Sequence, residues 1–92
     1  MRVKVFYTGL LRRYIGEKEG ELELPEGSTV RDLLDAVAAA HRDRFPQSYF
    51  AEGRQAFQEM VRASRRGGVP CEPDGKLEEG EEILLLSRLA GG

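Results

Sequence analysis

A single stretch of helical hydrophobic period, flanked on both sides by strand period, limits what this chain of 92 residues can fold into. Apolar positions recur at Val30, Leu33, Leu34, Val37 and Ala38, which is a stripe along one face of an α-helix. Thr29 stands at the N-cap position, and Asp32 completes a capping box built with the shorter acid. Asp32 and Asp35 lie near the positive end of this helix, Arg42 and Arg44 near its negative end, and Pro46 stops it. Ahead of the helix, Arg2–Tyr7 alternates, with Val3, Val5 and Tyr7 on one face and Arg2, Lys4 and Phe6 on the other. Leu22 and Leu24 alternate with Glu21 and Glu23 in the same way. Two strands this close in sequence predict an antiparallel pair with a wide turn, in which Leu10–Gly16 is a short apolar connection closed by glycine.

Beyond the helix, Tyr49, Phe50 and Phe57 anchor a crossover over Gln47–Gln58, irregular or partly helical because Gly53 weakens a helix. Glu59–Ser64 alternates as a strand. Arg65-Arg66-Gly67-Gly68 is a turn, since glycine takes positive φ freely, and Val69–Cys71 is a short return strand that Pro70 confines to an edge. Pro73-Asp74-Gly75 and Leu77–Gly80 are further turns. Glu82–Leu86 presents apolar residues on both faces, as a central strand covered on both sides would. The order β-β-α-β-(β)-β predicts a two-layer α+β domain over residues 1–86, one main helix on a mixed sheet with the first and last strands together in its middle. Residues 87–92 are an extended tail.

A chain of this size buries about 60–65% of its unfolded surface, enough for one modest core and too little for an elaborate active site. A formal charge of −2 argues against a dedicated nucleic-acid binder. No apolar run approaches the roughly 18 residues of a membrane span. Met1-Arg2-Val3-Lys4 carries no signal-like apolar block, and the single Cys71 forms no intrachain disulfide; both point to the cytoplasm. With His41 the only histidine, neither a His-based metal cluster nor a His-dependent triad can be assembled, and His41 reads as structural or surface. Cys71 reads as a packing residue, because nothing beside it in sequence lowers its pKa. Gly67-Gly68 lacks P-loop spacing, and the acidic pairs around Gly80 lack metal-loop spacing. Arg12, Arg13, Arg62, Arg65, Arg66 and Arg88 suit an acidic protein surface better than RNA, for want of interleaved exposed aromatics. No metal and no permanently bound cofactor is expected.

What remains is the tail, Ser87-Arg88-Leu89-Ala90-Gly91-Gly92. With glycine at roughly 7% of residues, a terminal diglycine arises by chance in about 0.5% of chains. Terminal glycines pack nothing, but they let a chain end pass through a narrow slot. Six extended residues reach about 20 Å, far enough to carry a terminal carboxylate into another protein's active site. The α-carboxyl has a reference pKa near about 3.5 and is an anion at neutral pH, able to attack an activated phosphate.

Taken together, the sequence resembles the MoaD/ThiS family of ubiquitin-like sulfur carriers. The likeness is carried by Val3–Tyr7, by Leu11–Gly16, by Leu24-Pro25-Glu26-Gly27-Ser28-Thr29-Val30 with Leu33-Leu34, by Leu77–Ile83, and by the final Ala90-Gly91-Gly92. This chain has Ser87-Arg88 where MoaD tails usually carry Pro-Pro, and its crossover at 47–58 is longer.

The resemblance implies a β-grasp (ubiquitin-like) fold, closest to the small subunit of molybdopterin synthase. It implies that an E1-like adenylyltransferase of the MoeB/ThiF type uses ATP to make an acyl-adenylate of Gly92, which a sulfur-donor enzyme converts to a thiocarboxylate. A MoaE-like catalytic subunit would then take the sulfur for the molybdenum cofactor, this chain being the non-catalytic donor. Gly91 would give the tail access, and partners would dock on Leu86, Val69 and Tyr7 or Thr8, and along Ser87, Arg88, Leu89 and Ala90. The same tail fits a carrier for tRNA thiolation or thiamin synthesis, and a protein modifier that joins Gly92 to lysines by isopeptide bonds. A β-grasp interaction module with an incidental diglycine is the plainest alternative.

Overall fold

The computed structural model describes residues 1–50 and 54–88. Its elements are β1 (Arg2–Tyr7), α1 (Gly9–Ile15), β2 (Glu19–Glu23), α2 (Val30–His41), α3 (Arg54–Met60), β3 (Val61–Arg65) and β4 (Glu82–Ser87). Short 3₁₀ turns occupy Arg42–Arg44 and Gln47–Tyr49. The strands form one sheet in the order β2-β1-β4-β3. β1 runs parallel to β4, while β2 and β3 flank them antiparallel. The first and last strands therefore share the centre of a mixed sheet, as the sequence pattern predicts.

All the helices contribute to one core on one face of this sheet. Val3, Val5, Ile83 and Leu85 are fully buried, and they share a cluster with Val30, Leu33, Leu34 and Val37 of α2. The start of α2 is capped more completely than its sequence alone suggests. Asp32 N–H donates to the Thr29 hydroxyl at 3.3 Å and Thr29 N–H donates to the Asp32 carboxylate at 2.9 Å, so the capping box is present. The next donors are met from a distant loop. Val30 N–H reaches the Gly75 carbonyl and Arg31 N–H the Pro73 carbonyl, each at 3.0 Å. These are the orphan groups that any helix start leaves open.

Four expectations need correction. The Leu10–Gly16 connection is the helix α1, in which Leu11 and Ile15, one turn apart, are both buried. Gly16 closes it in the left-handed region at φ 82°, its N–H donating to the Arg12 carbonyl. Seven residues are too few for intrinsic propensity to hold a helix in water, so burial of that pair is what makes it. Glu59 and Met60 close α3 rather than opening a strand. Val69–Cys71 is reduced to an isolated bridge between Ser64 and Pro70, with Cys71 N–H donating to the Ala63 carbonyl. Finally, β4 is covered on one side only: Ile83, Leu85 and Ser87 are buried, whereas Leu84 and Leu86 are 38% and 41% exposed. Gly53, expected to weaken the crossover, lies outside the described residues.

Leu33 sits at the centre of the α2–sheet interface with no exposure. Leu33→Ala is expected to lower unfolding free energy by about 2–5 kcal/mol, and Thr29→Ala by about 1 kcal/mol through loss of the cap. Urea denaturation of both variants checks the two values and their order.

Candidate functional site

Strand parity decides what the uncovered sheet face carries. Residues opposite one another in register share a face. Lys4 therefore stands with Glu21 and Glu82, Phe6 with Glu19 and Leu84, and Leu84 with Ser64; Leu86 stands with Arg62. The face divides into two regions. Toward β2 it is a lattice of ion pairs, Arg2–Glu23 at 3.0 Å, Arg2–Glu21 at 3.5 Å and Lys4–Glu19 at 3.3 Å. Toward the end of β4 it is apolar, formed by Phe6, Leu84 and Leu86, with Arg62 and Arg88 exposed beside it. Lys4 Nζ lies 5.7 Å from the Phe6 ring centroid and marks the join between the two. Neither Arg62 nor Arg88 has an ion-pair partner among the described residues, whereas Arg65 and Arg66 are paired to Glu81 and Glu82.

The apolar region adjoins the root of the tail. The last hydrogen bond described there runs from Arg88 N–H to the Met60 carbonyl, 2.8 Å. One residue earlier, the buried Ser87 hydroxyl lies 3.1 Å from the Tyr49 hydroxyl. Burial pushes the Tyr49 phenol above its ordinary pKa, and the bond to Ser87 works against that shift.

The expected site residues are distributed unevenly over this geometry. Leu86 lies on the open face, Arg88 is exposed just past the end of β4, and Val69 is 59% exposed on the hairpin that returns beyond β3. Tyr7 and Ser87 face the core: Tyr7 is 4% exposed, packed edge-on to the His41 ring and lying over Gly20. Thr8 donates its hydroxyl to the Leu85 carbonyl at 2.8 Å. Leu89, Ala90, Gly91 and Gly92 lie outside the described residues. Phe6, Leu84 and Arg62 belong to the same face without having been expected as docking residues. Phe6 does carry a signal in sequence, as the one apolar residue at an outward position of β1.

No group of His, Cys, Asp and Glu suited to a metal occurs among the described residues, and none of their helices is long and apolar enough to cross a membrane. Cys71 is half-buried, and its thiol is pushed up in pKa by that burial, with Arg65 at 3.8 Å opposing the shift. That environment suits packing rather than reactivity.

No family model matches the chain, and no curated protein matches it by sequence. Solved structures do. SAMP1 from Haloferax volcanii superposes with a TM-score of 0.80 at 20% identity, covering 100% of both chains. A Pyrococcus furiosus protein described as molybdopterin converting factor, subunit 1, gives 0.72 at 27% identity over 97% of this chain and 99% of that one. Caldiarchaeum subterraneum ubiquitin gives 0.62 at 19% identity over 100% of this chain and 98% of its own. The fold is a ubiquitin-like, MoaD/ThiS-like β-grasp. In this β-grasp β4, the last described strand, is central in the sheet.

His41 yields a pH prediction. Burial, and then Arg44, hold its pKa below the ordinary 6.5, with Glu17 opposing. A histidine whose folded pKa is depressed contributes full stability above its unfolded pKa. That contribution is lost as pH falls below about 6.5, until the folded pKa is passed. The thermal midpoint is therefore expected to decline through this window, and His41→Gln to remove that part of the decline.

Proposed function

We propose that this β-grasp is a carrier whose reactive group is the α-carboxylate of Gly92, and that its acceptor is a MoaE-like subunit making molybdopterin. The observation that carries the reading is the sequence Leu89-Ala90-Gly91-Gly92, which in the chain comes after β4, a central strand whose uncovered face carries an open apolar patch. Among the described residues there is no metal-ligand cluster, and the thiol is held above its ordinary pKa.

The chemistry divides between carrier and partners. A carboxylate oxygen of Gly92 attacks the α-phosphorus of ATP on an E1-like adenylyltransferase, and pyrophosphate leaves. Sulfide (HS⁻) released by a donor enzyme then attacks the acyl carbon, the acyl–oxygen bond to AMP breaks, AMP leaves, and loss of the S–H proton gives the thiocarboxylate. This chain contributes the docking surface and a slender, side-chain-free end. Phe6, Leu84 and Leu86 supply apolar area to the partner, and Arg62 and Arg88 favour a partner rim rich in carboxylates.

The molybdopterin assignment draws on the 27% identity to the Pyrococcus furiosus protein. The likeness to SAMP1 and to an archaeal ubiquitin supports a second reading, in which Gly92 is joined to lysines of other proteins. Carriage for tRNA thiolation or thiamin synthesis uses the same activation steps.

Incubation with the adenylyltransferase, ATP and a sulfur donor is expected to add the mass difference of one oxygen replaced by sulfur. One alanine appended after Gly92, or Gly91→Val, is expected to abolish that gain while the fold persists, because bulk and lost backbone freedom close the slot. An appended variant that still gains sulfur without being trimmed overturns the proposal. Mass spectrometry of cell lysate reads the alternative, by finding Gly92 on lysine side chains. Leu86→Glu is expected to weaken partner binding about tenfold or more, a loss of roughly 1.4 kcal/mol, with cooperative unfolding retained.

A further inference from the structure

The buried end of β4 breaks its own pattern. Ile83 and Leu85 point apolar side chains into the core, and the next position on that face is Ser87, 3% exposed. A hydroxyl sealed there needs a hydrogen-bond partner. Tyr49 is one, with its hydroxyl 3.1 Å away.

Tyr49 is enclosed on all sides by the core. It has no exposure, and its ring packs against Tyr14, Phe45 and Phe57 at centroid distances of 5.8, 5.3 and 6.1 Å. Tyr14 comes from α1, Phe57 from α3, and Tyr49 itself from the 3₁₀ turn between α2 and α3. Three separate elements therefore fix the direction of one hydroxyl. The residue after β4 is Arg88, whose N–H donates to the Met60 carbonyl at 2.8 Å.

We propose that Tyr49 is a positioning residue: its hydroxyl clamps Ser87 and so fixes the point and direction at which the tail leaves the sheet. This rests on the reading of the tail as the reactive element. A root held in one geometry presents the tail with part of its ordering already done, so the activating enzyme meets a smaller entropic cost on binding. A turn in the crossover between α2 and α3 thereby acts at Ser87, far from it in sequence. The role differs from the docking surface, because Tyr49 and Ser87 lie buried on the covered face of the sheet.

Tyr49→Phe tests the clamp by deleting one oxygen while keeping the ring. Amide hydrogen exchange at Arg88 is expected to quicken about 5- to 10-fold, the effect of one lost hydrogen bond. Ile83 and Leu85 amides are expected to stay unchanged. KM for the carrier in adenylyltransferase-dependent pyrophosphate exchange is expected to rise by a similar factor, with kcat within about twofold. Ser87→Ala should reproduce both effects, and Ser87→Thr, which keeps the hydroxyl, should restore them toward wild type. Unchanged exchange at Arg88, or a uniform quickening along β4, overturns the clamp. Quickened exchange with unchanged KM overturns its positioning role. If wild type supports no pyrophosphate exchange with an adenylyltransferase active on its own carrier, the carrier reading fails, and the clamp is then decided by the Arg88 exchange alone.

Discussion

The parallel pairing of β1 with β4 is the constraint on which the rest of this molecule depends. Parallel neighbours cannot be joined by a tight turn, so the chain between them must cross over one face of the sheet. The crossover brings α2 and α3 onto that face and leaves the other without a helix among the described residues. It also brings β3 to the outer side of β4, where the antiparallel ladder runs up to Ser87. Once Phe6 is in register with Leu84, the apolar region and the root of the tail are neighbours. A slip of one residue would turn Val3, Val5 and Tyr7 outward and Lys4 and Phe6 inward, and no core would form.

Stability and function are drawn from opposite sides of the same strands. The covered positions of β4 hold the core, and the alternate positions carry Leu84 and Leu86 into solvent. The loop from Val69 to Glu81 links the two sides. Arg65 fastens it through Glu81 at 2.6 Å and the Lys76 carbonyl at 3.2 Å, and its Pro73 and Gly75 carbonyls cap α2. A segment with little regular structure thus satisfies the helix that covers the sheet.

The site was partly legible. Leu86 is exposed on the uncovered face, and the apolar run Ile83–Leu86 signalled a strand with two apolar faces. Whether the second face is covered depends on how many helices the domain can spare, which no single segment encodes. Tyr7 shows the converse. Its alternation with Lys4 and Phe6 correctly gave its face, and only the packing of α2 showed that face to be closed. α1 escaped notice because its helicity comes from burying Leu11 and Ile15 rather than from seven residues of propensity.

By itself the sequence determined the elements that rest on local chemistry. These are the α2 stripe with its Thr29–Asp32 cap, the alternating strands at the start and end of the chain, the glycine turn at Gly67-Gly68, and the diglycine at its end. Each follows from side-chain period, backbone freedom or a reciprocal hydrogen bond within a few residues. Tertiary structure alone decided which strand face stays open, that Phe6 and Leu84 join Leu86 there, and that Tyr49 meets Ser87 across the core. Those outcomes depend on groups far apart in sequence. Their energies come from burial and hydrogen bonds that exist only once the crossover has brought the strands together.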